Sequence, residues 1–367
     1  MVEKLELNCD AEFMGEALSL ARSVQFQTSP NPTVGALVVS SSGDVVGRGF
    51  HEGPGLAHAE VSALDQAGQA AKNGTLYCTL EPCTHLGRTA PCVSRILAAE
   101  ISRVVIAIED PNPNVSGGGV SYLREQGLQV DVGVRRLEAL KLNEYFFRWA
   151  LTGRPFVIMK IALSSDGRIA ERIGSRTQLT AAEASRSVHK TRCEVDALGV
   201  GSNTVIVDDP KLSVRGFEKK SPLTRVVFDR RLRVSPAAKI FQSAKIGPVV
   251  VLTSQRALEK RGDLAVALRE AGGILEPLSS GSIAEALRCL GRRGITSLLI
   301  EGGTCLHRAV WTDGFVDRVQ QYVSPIKLGV EGVDWLDRRD VGARLESVRK
   351  KQLGRDLLLE GDVQRLS

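Results

Sequence analysis

The sequence lacks both a long hydrophobic run and the pattern of a secretory signal. Nowhere in the 367 residues does an apolar run approach the ~18 residues that indicate a membrane span. The first residues, MVEKLELNCDAEF, have no basic start, no apolar core and no small-residue cleavage site. We therefore expect neither membrane insertion nor secretion, and we expect a cytoplasmic location.

Cysteine is sparse and odd in number, which disfavours a disulfide framework. The 7 cysteines are scattered over the chain, and in a reducing compartment two neighbouring cysteines more often bind a metal or take part in chemistry. Aromatic residues make up only 5%, and the basic residues behind the net charge of +6 are dispersed. This distribution disfavours nucleic-acid binding. It is typical of a solvated surface that suits anionic small molecules.

The remaining pattern predicts an α/β protein of about two domains. A helix is expected from a cap at Asp10 to about Val24, and TVGALVVSSSGDVVGRGF predicts a β-hairpin. Strand-like and helix-like segments then alternate up to an amphipathic stretch that ends at Gly153. A new strand, FVIMKIAL, follows, so we place the domain boundary near residue 150. The last residues, from about Arg338, are charged and poorly patterned.

Two cysteines and an upstream histidine predict a metal site in the first half. Cys83 and Cys92 lie in EPCTHLGRTAPC, and His58 lies in LAHAEVSAL. One imidazole and two thiolates complete the three protein ligands of a catalytic zinc site, which keeps its fourth position for water. Glu60, at His-x-Glu spacing, is left over to take a proton from water and pass it to a leaving amine. This is the pattern of zinc-dependent base deaminases.

Families of such deaminases differ in the number of residues between the two cysteines. Many place two residues there, whereas this chain has eight. The loop PCTHLGRTAPC, with PNPTVGALVV, GRGFHEGPGLAHAE and EDPNPNVSGGG, resembles the bifunctional deaminase and reductase family of riboflavin biosynthesis, over nearly the whole length. The resemblance implies a cytidine-deaminase-like three-layer α/β/α domain over residues 1–150. It also implies substrate contacts in that domain at Asn31, His51, Arg88, Thr89 and Asn112.

The second half resembles the reductase of the same family. It has no Gly-x-Gly-x-x-Gly after a strand, so a Rossmann dinucleotide site is not supported. The segments MKIALSSDGRIA, GVGSNTVIVDDPKLSVRG and SLLIEGGTCLH match the family, and the resemblance implies a dihydrofolate-reductase-like α/β domain over residues 151–367 that uses NADPH. The implied roles are catalysis by Lys160, Asp208 and Glu301; substrate binding by Arg176, Arg192, Leu212, Arg215 and Glu301; and cofactor binding by Ala162, Gln178, Thr204, Asp208, Arg230, Gly302, Gly303 and Thr304.

One segment departs from the family pattern. GSRTQLT places Arg176 and Gln178 where many relatives have Ser and Trp, so the placement of the nicotinamide ring is open.

The function predicted by the resemblance has two steps. The first is zinc-dependent hydrolytic deamination of 2,5-diamino-6-(5-phospho-ribosylamino)pyrimidin-4-one, and the second is NADPH-dependent reduction of the ribosyl group to ribityl. One alternative is a zinc deaminase of a nucleoside or RNA base with a non-catalytic second domain. Another is a structural zinc domain on a small-molecule sensor, with His85 as fourth ligand. A pyrimidine ribotide is the expected partner, and a homo-oligomer is possible.

Overall fold

The computed structural model describes residues 2–84, 91–112, 117–175, 177–336 and 338–364. The chain divides into two compact units, Met1–Gly153 and Arg154–Ser367. Each unit has a hydrophobic core of its own.

The first unit is one sheet with helices packed on it. Its elements in chain order are α1 (Val2–Ser23), β1 (Gly35–Val39), β2 (Val45–Phe50), α2 (Ala59–Ala67), β3 (Thr75–Cys78), α3 (Cys92–Ala98), β4 (Arg103–Ile106), α4 (Gly118–Glu125), β5 (Gln129–Val132), α5 (Arg136–Leu142) and α6 (Glu144–Thr152). The strand order is β2-β1-β3-β4-β5. The predicted hairpin is confirmed, since β1 and β2 pair antiparallel, while β3, β4 and β5 are parallel.

Close packing brings α2 onto this sheet. Gly49 lies on β2 opposite the start of α2, and a Cβ at this position would collide with the carbonyl oxygen of Ala59. Glycine therefore allows the first turn of α2 to approach the strand. The approach matters for function because His58 immediately precedes this turn and Glu60 lies within it.

One helix prediction in this unit differs from the structure. Asp10 does not cap α1, which begins at Val2. The buried Asp10 carboxylate instead accepts hydrogen bonds from the Tyr77 hydroxyl at 2.7 Å and from the Arg103 guanidinium at 2.9 and 2.7 Å. The amphipathic stretch before Gly153 forms two helices, because Asn143 leaves helical geometry and hydrogen-bonds the backbone of Thr33 through both amide atoms.

The second unit is built on a mostly parallel sheet of nine strands. The strands of the unit are β6 (Phe156–Leu163), β7 (Arg168–Ala170), β8 (Ala197–Gly201), β9 (Thr224–Phe228), β10 (Val249–Ser254), β11 (Gly273–Leu278), β12 (Ser297–Gly302), β13 (Arg318–Val323), β14 (Val333–Asp334), β15 (Leu345–Leu353) and β16 (Asp356–Val363). The order in the nine-stranded sheet is β11-β10-β9-β8-β12-β6-β13-β16-β15. The helices of the unit are α7 (Ala182–Glu194), α8 (Ser202–Asp208), α9 (Gln255–Lys260), α10 (Gly262–Glu270), α11 (Ile283–Arg292), α12 (Thr304–Thr312) and α13 (Arg338–Ala343).

The sheet topology indicates where ligands bind in this unit. The strands from β11 to β13 run parallel. β16 pairs antiparallel with β13, and β15 pairs antiparallel with β16. The first strand, β6, lies between β12 and β13, so the order of the strands reverses around it. Ligands of open α/β sheets bind beyond the carboxyl ends of the strands at such a switch point. β7 and β14 form a separate two-stranded sheet.

The C-terminal residues are more regular than their sequence indicates. The segment from Arg338 forms a helix and the antiparallel pair β15 and β16, with β16 against β13. Side chains of β15 are almost all exposed, so the strand has none of the apolar alternation that marks a half-buried strand. No helix in the described part of the chain is long and apolar enough to cross a bilayer.

Candidate active sites

Three elements of the first unit bring His58, Cys83 and Cys92 together. His58 is the residue before α2, Cys92 is the first residue of α3, and Cys83 follows β3. The His58 Nδ1 atom is 3.1 Å from Cys92 Sγ and 3.6 Å from Cys83 Sγ. All three ligand atoms lie within 4.8 Å of one another. The predicted ligands therefore form one group although they are distant in sequence.

The surroundings of this group lower the pKa of the Cys83 thiol and raise the pKa of the Cys92 thiol and of the Glu60 carboxyl. The Cys92 thiol, His58 and the backbone N–H of Cys92, 3.4 Å from Cys83 Sγ, lower the pKa of Cys83 to about 4. Thiolate is the form in which cysteine binds zinc. Glu60 is only 4% exposed, and burial raises the pKa of its carboxyl. A carboxyl with a raised pKa can both accept and donate a proton near neutral pH.

The donor set fits zinc. One imidazole nitrogen and two sulfurs are the ligands that zinc prefers, and three protein ligands leave one position for water. In the residues that the structure describes, the group contains these three ligands. His85, the fourth ligand required by a purely structural site, lies outside the described residues.

A cavity of about 500 Å³ opens beside the group. Its walls include three of the predicted substrate contacts, Asn31, His51 and Asn112, together with Glu60. The carbonyl oxygen of Ala57 is 3.0 Å from His51 Nδ1, and Asn31 Nδ2 is 2.9 Å from His51 Nε2. His51 Nδ1–H donates to the carbonyl and Nε2 accepts from the Asn31 amide, so the Asn31 amide oxygen remains for other partners.

The carboxylate of Glu81 connects two walls of this cavity. Glu81 is 4% exposed and accepts four backbone N–H groups, from Asp110 at 3.0 Å, Gly117 at 3.0 Å, Gly119 at 2.9 Å and Val120 at 3.0 Å. It therefore ties the end of β4 and the start of α4 to the segment that carries Cys83. The sequence gives no signal for this role.

The second unit has a larger cleft, of about 1270 Å³, at the carboxyl ends of its parallel strands. Several predicted cofactor contacts line it: Thr204, Asp208, Arg230, Gly303 and Thr304. Gly303 has φ +91, and it joins β12 to the N-terminus of α12. A Cβ on the neighbouring Gly302 would lie 3.1 Å from Thr204 Oγ1. A turn of small residues before a helix, with Arg230 in the same cleft, fits the phosphates of a dinucleotide.

A half-buried group of charges marks the predicted catalytic centre of this unit. Arg192 on α7 donates from Nε at 2.6 Å and from Nη2 at 2.7 Å to the Glu301 carboxylate. Burial alone would raise the pKa of Glu301, but the charge of Arg192 lowers it. Burial lowers the pKa of Lys160, whose ammonium lies 5.7 Å from the Tyr322 ring centroid. Lys160 is thus a half-buried amine that holds its proton less tightly than an exposed lysine.

The structure does not bring every predicted residue to these sites. Gln178 is exposed, donates to the Thr180 carbonyl oxygen at 2.9 Å, and does not line the cleft. Ala162 does not line it either, although its neighbour Ile161 does. Leu212 is buried with φ +51, and Arg215 is exposed next to it. Arg88, Thr89 and Arg176 lie outside the described residues.

Comparison with known proteins explains why two such sites occur in one chain. Residues 155–359 match the model of the RibD C-terminal domain, and residues 7–108 match the cytidine and deoxycytidylate deaminase zinc-binding region. The riboflavin biosynthesis protein RibD of Aquifex aeolicus is 42% identical over 357 residues, which cover 95% of this chain and 97% of that protein. The chain belongs to the RibD family. The corresponding protein of Escherichia coli is 36% identical over 87% of this chain and 89% of its own length.

Solved RibD structures have the same fold. RibD of Acinetobacter baumannii superposes with a TM-score of 0.86 at 33% identity, covering 98% of this chain and 100% of that one. The diaminohydroxyphosphoribosylaminopyrimidine deaminase/5-amino-6-(5-phosphoribosylamino)uracil reductase of Thermotoga maritima gives 0.83 at 32% identity, with 98% and 99% covered. The predicted fold class, a cytidine-deaminase-like domain followed by a dihydrofolate-reductase-like domain, is confirmed.

Membership of the RibD family also establishes the function class. The chain is a bifunctional enzyme of riboflavin biosynthesis, with a zinc-dependent deaminase domain and an NADPH-dependent reductase domain that act on a small-molecule substrate. The alternative, a nucleoside or RNA deaminase with a non-catalytic second domain, is not supported, because the C-terminal half matches the RibD reductase domain.

Proposed function

We propose that residues 1–150 deaminate 2,5-diamino-6-(5-phospho-ribosylamino)pyrimidin-4-one and that residues 151–367 reduce the ribosyl group of the product to ribityl. The observation that carries the first assignment is the convergence of His58, Cys83 and Cys92 within 4.8 Å, beside the buried Glu60. The second assignment is supported by the half-buried group of Lys160, Arg192 and Glu301 next to the small-residue turn of the cleft.

In the deaminase, His58, Cys83 and Cys92 would hold zinc, which acts as a Lewis acid that activates water at neutral pH. Glu60 accepts the proton of the attacking water and delivers it to the departing amine. Its burial supports this role, because burial raises the pKa of the carboxyl toward the range in which a group can both accept and donate a proton near neutral pH. Asn31, His51 and Asn112 contact the base and the sugar from the cavity wall. Arg88 and Thr89 are further proposed contacts.

His51 also orients the side-chain amide of Asn31. Because its Nε2 accepts the Asn31 amide N–H, the Asn31 oxygen is left to face the substrate. A carbonyl oxygen recognises an N–H or O–H donor, and an aminopyrimidine ribotide offers both.

In the reductase, NADPH supplies a hydride, and the protein binds the ribotide and supplies the proton that the reduction consumes. Thr204, Arg230, Gly302, Gly303 and Thr304 would hold the cofactor, with Asp208 at the edge of the same cleft. Lys160 would protonate the sugar oxygen, and its pKa, which burial lowers, supports this role. Glu301 holds the opposite charge beside it and is itself fixed by Arg192. Leu212, Arg215 and Arg176 are the proposed contacts to the ribotide.

The Glu60 assignment is tested by Glu60→Gln, which keeps the size of the side chain and removes the titrating group. We expect ammonia release to fall by about 10²- to 10⁴-fold, the range of general acid–base catalysis. Zinc content and NADPH consumption with the deaminated ribotide should not change. Glu12→Gln, at an exposed position of α1, is the matched control. Near wild-type ammonia release from Glu60→Gln would refute the role of Glu60.

Two further expectations belong to this proposal. A cytoplasmic location is supported by the use of Cys83 and Cys92 as thiolates, which reducing conditions preserve. A homo-oligomer is a prediction that sedimentation of the purified chain would test.

A further inference from the structure

One face of α7 fixes the segment that carries Leu212 and Arg215. His189 and Arg192 are three residues apart on this helix and therefore lie on the same face. Arg192 Nη1 donates to the Ser213 carbonyl oxygen at 2.8 Å. His189 lies 3.2 Å from the Arg215 backbone N through Nδ1 and 3.1 Å from Arg215 Nε through Nε2. Two donors of Arg215, the backbone N–H and Nε–H, thus point at one imidazole.

The segment depends on such contacts because no helix or strand holds it. Leu212 has φ +51, a left-handed conformation that a leucine rarely adopts unless its surroundings impose it. Arg215 is exposed, whereas His189 is only 6% exposed. The rigid partner in this contact is therefore the histidine.

We infer that His189 is a positioning residue for Arg215: it holds the guanidinium in the orientation that binds the phosphate of the ribotide. The inference rests on the proposed function, in which Arg215 contacts the ribotide. His189 itself needs no contact with the substrate.

The chemistry of imidazole makes this role sensitive to pH. A neutral ring has one acceptor nitrogen, so it holds one of the two Arg215 donors at a time, and a protonated ring accepts neither. The charged groups that act on His189 are the cations Arg192 and Arg215 and the anion Glu301. Burial, followed by the two arginines, lowers the pKa of His189, while Glu301 opposes this change. The neutral form therefore prevails near neutral pH, and the KM for the ribotide should rise as the pH falls through this pKa.

The test measures steady-state reduction of the deaminated ribotide in the full chain. His189→Phe removes the acceptor at similar size, and we expect the ribotide KM to rise about tenfold, as on loss of one charge-assisted hydrogen bond. The kcat and the KM for NADPH should stay near wild type, because only substrate binding is affected. His189→Gln keeps an acceptor oxygen and should partly restore the KM. Lys190→Gln, at the exposed neighbouring position, is the control and should leave the KM within about twofold.

Two comparisons make the inference refutable. Arg215→Ala should raise the ribotide KM, and adding His189→Phe to it should change little more, since both act through one contact. Additive effects, or a wild-type KM in both His189 variants while Arg215→Ala is impaired, would overturn the positioning role alone. A wild-type KM in Arg215→Ala would instead remove the phosphate contact from the proposed function.

The pH profile supplies an independent reading. The phosphate of the ribotide also titrates, with a pKa of about 6, so wild type and His189→Gln must be compared. We expect the rise in KM at low pH to be smaller in His189→Gln, which keeps only the phosphate contribution. Superimposable profiles would contradict the inference, provided that both proteins show the same thermal unfolding.

Discussion

Cys83 and Cys92 differ from the other cysteines in their surroundings. Their sulfurs face one imidazole nitrogen. Cys193, by contrast, donates from its thiol to the Glu218 carbonyl oxygen at 3.0 Å, and Cys305 is exposed at the start of α12. Among the residues that the structure describes, the cysteines with the geometry of metal ligands are Cys83 and Cys92.

We therefore predict that Cys83→Ser and Cys92→Ser each lose most of the bound zinc, because a neutral hydroxyl replaces a thiolate. Deamination should be lost with the metal. Cys193→Ser and Cys305→Ser, the matched controls, should keep both. Metal analysis of the four purified variants decides the matter, and full zinc content in both Cys83→Ser and Cys92→Ser would contradict the ligand assignment.

The candidate zinc site was the most predictable part of the molecule. His-x-Glu and the two cysteines have fixed chemical identities and a fixed order, so sequence alone predicts the group that the structure assembles. Glu81 and His189 could not be found in this way. Their partners are backbone N–H groups and an arginine distant in sequence, and such contacts leave no pattern in the chain.

The segment GSRTQLT carries Gln178, one of the predicted cofactor contacts. Gln178 does not line the cleft and bonds only the local backbone among the contacts that the structure describes. Thr177, nearby, does line the cleft. The small-residue turn before α12 and the arginines at the ends of the strands, rather than Gln178, are therefore expected to hold the cofactor.

Gln178→Trp should for this reason lower the KM for NADPH or change it little. An aromatic contact adds about 0.5–1.5 kcal/mol beyond area burial, which is at most roughly tenfold in affinity. Gln126→Trp, at an exposed position of the first unit, controls for the effect of tryptophan itself. A large increase in the KM for NADPH would show that the Gln178 side chain itself contributes to NADPH binding.

Prediction of secondary structure succeeded where burial imposes a pattern. FVIMKIAL forms β6 at its predicted position, since it is apolar except for Lys160 and lies mid-sheet. It failed at Asp10, because a capping residue type also serves as a buried anchor for Tyr77 and Arg103. It failed again at β15, whose exposed side chains are under no constraint from a core.

The two units have separate hydrophobic cores, and this predicts that their activities can be lost separately. The core of the first unit contains residues between Met14 and Phe147, and the main core of the second contains residues between Val157 and Val341. Metal bound by His58, Cys83 and Cys92 would thus stabilise only the first core directly.

Removal of zinc with a chelator should abolish ammonia release and leave NADPH consumption with the deaminated ribotide at wild-type level. Added zinc should restore deamination. The two readings come from the same sample, so each controls for protein concentration. A parallel loss of NADPH consumption would mean that the reductase depends on the folded deaminase domain.

The strand β15 lies at one edge of the nine-stranded sheet, and this position affects association between molecules. An edge strand offers unpaired backbone groups to which a strand of another molecule can add, and this is a common start of aggregation. Here the exposed strand carries Arg349, Lys350 and Lys351, and its pairing is interrupted between Glu346 and Arg349, where Ser347 has φ +51. Like charges and a bulge make a poor template for further strands. The charged tail that looked featureless in sequence thus disfavours the addition of a strand from another molecule at this edge of the sheet.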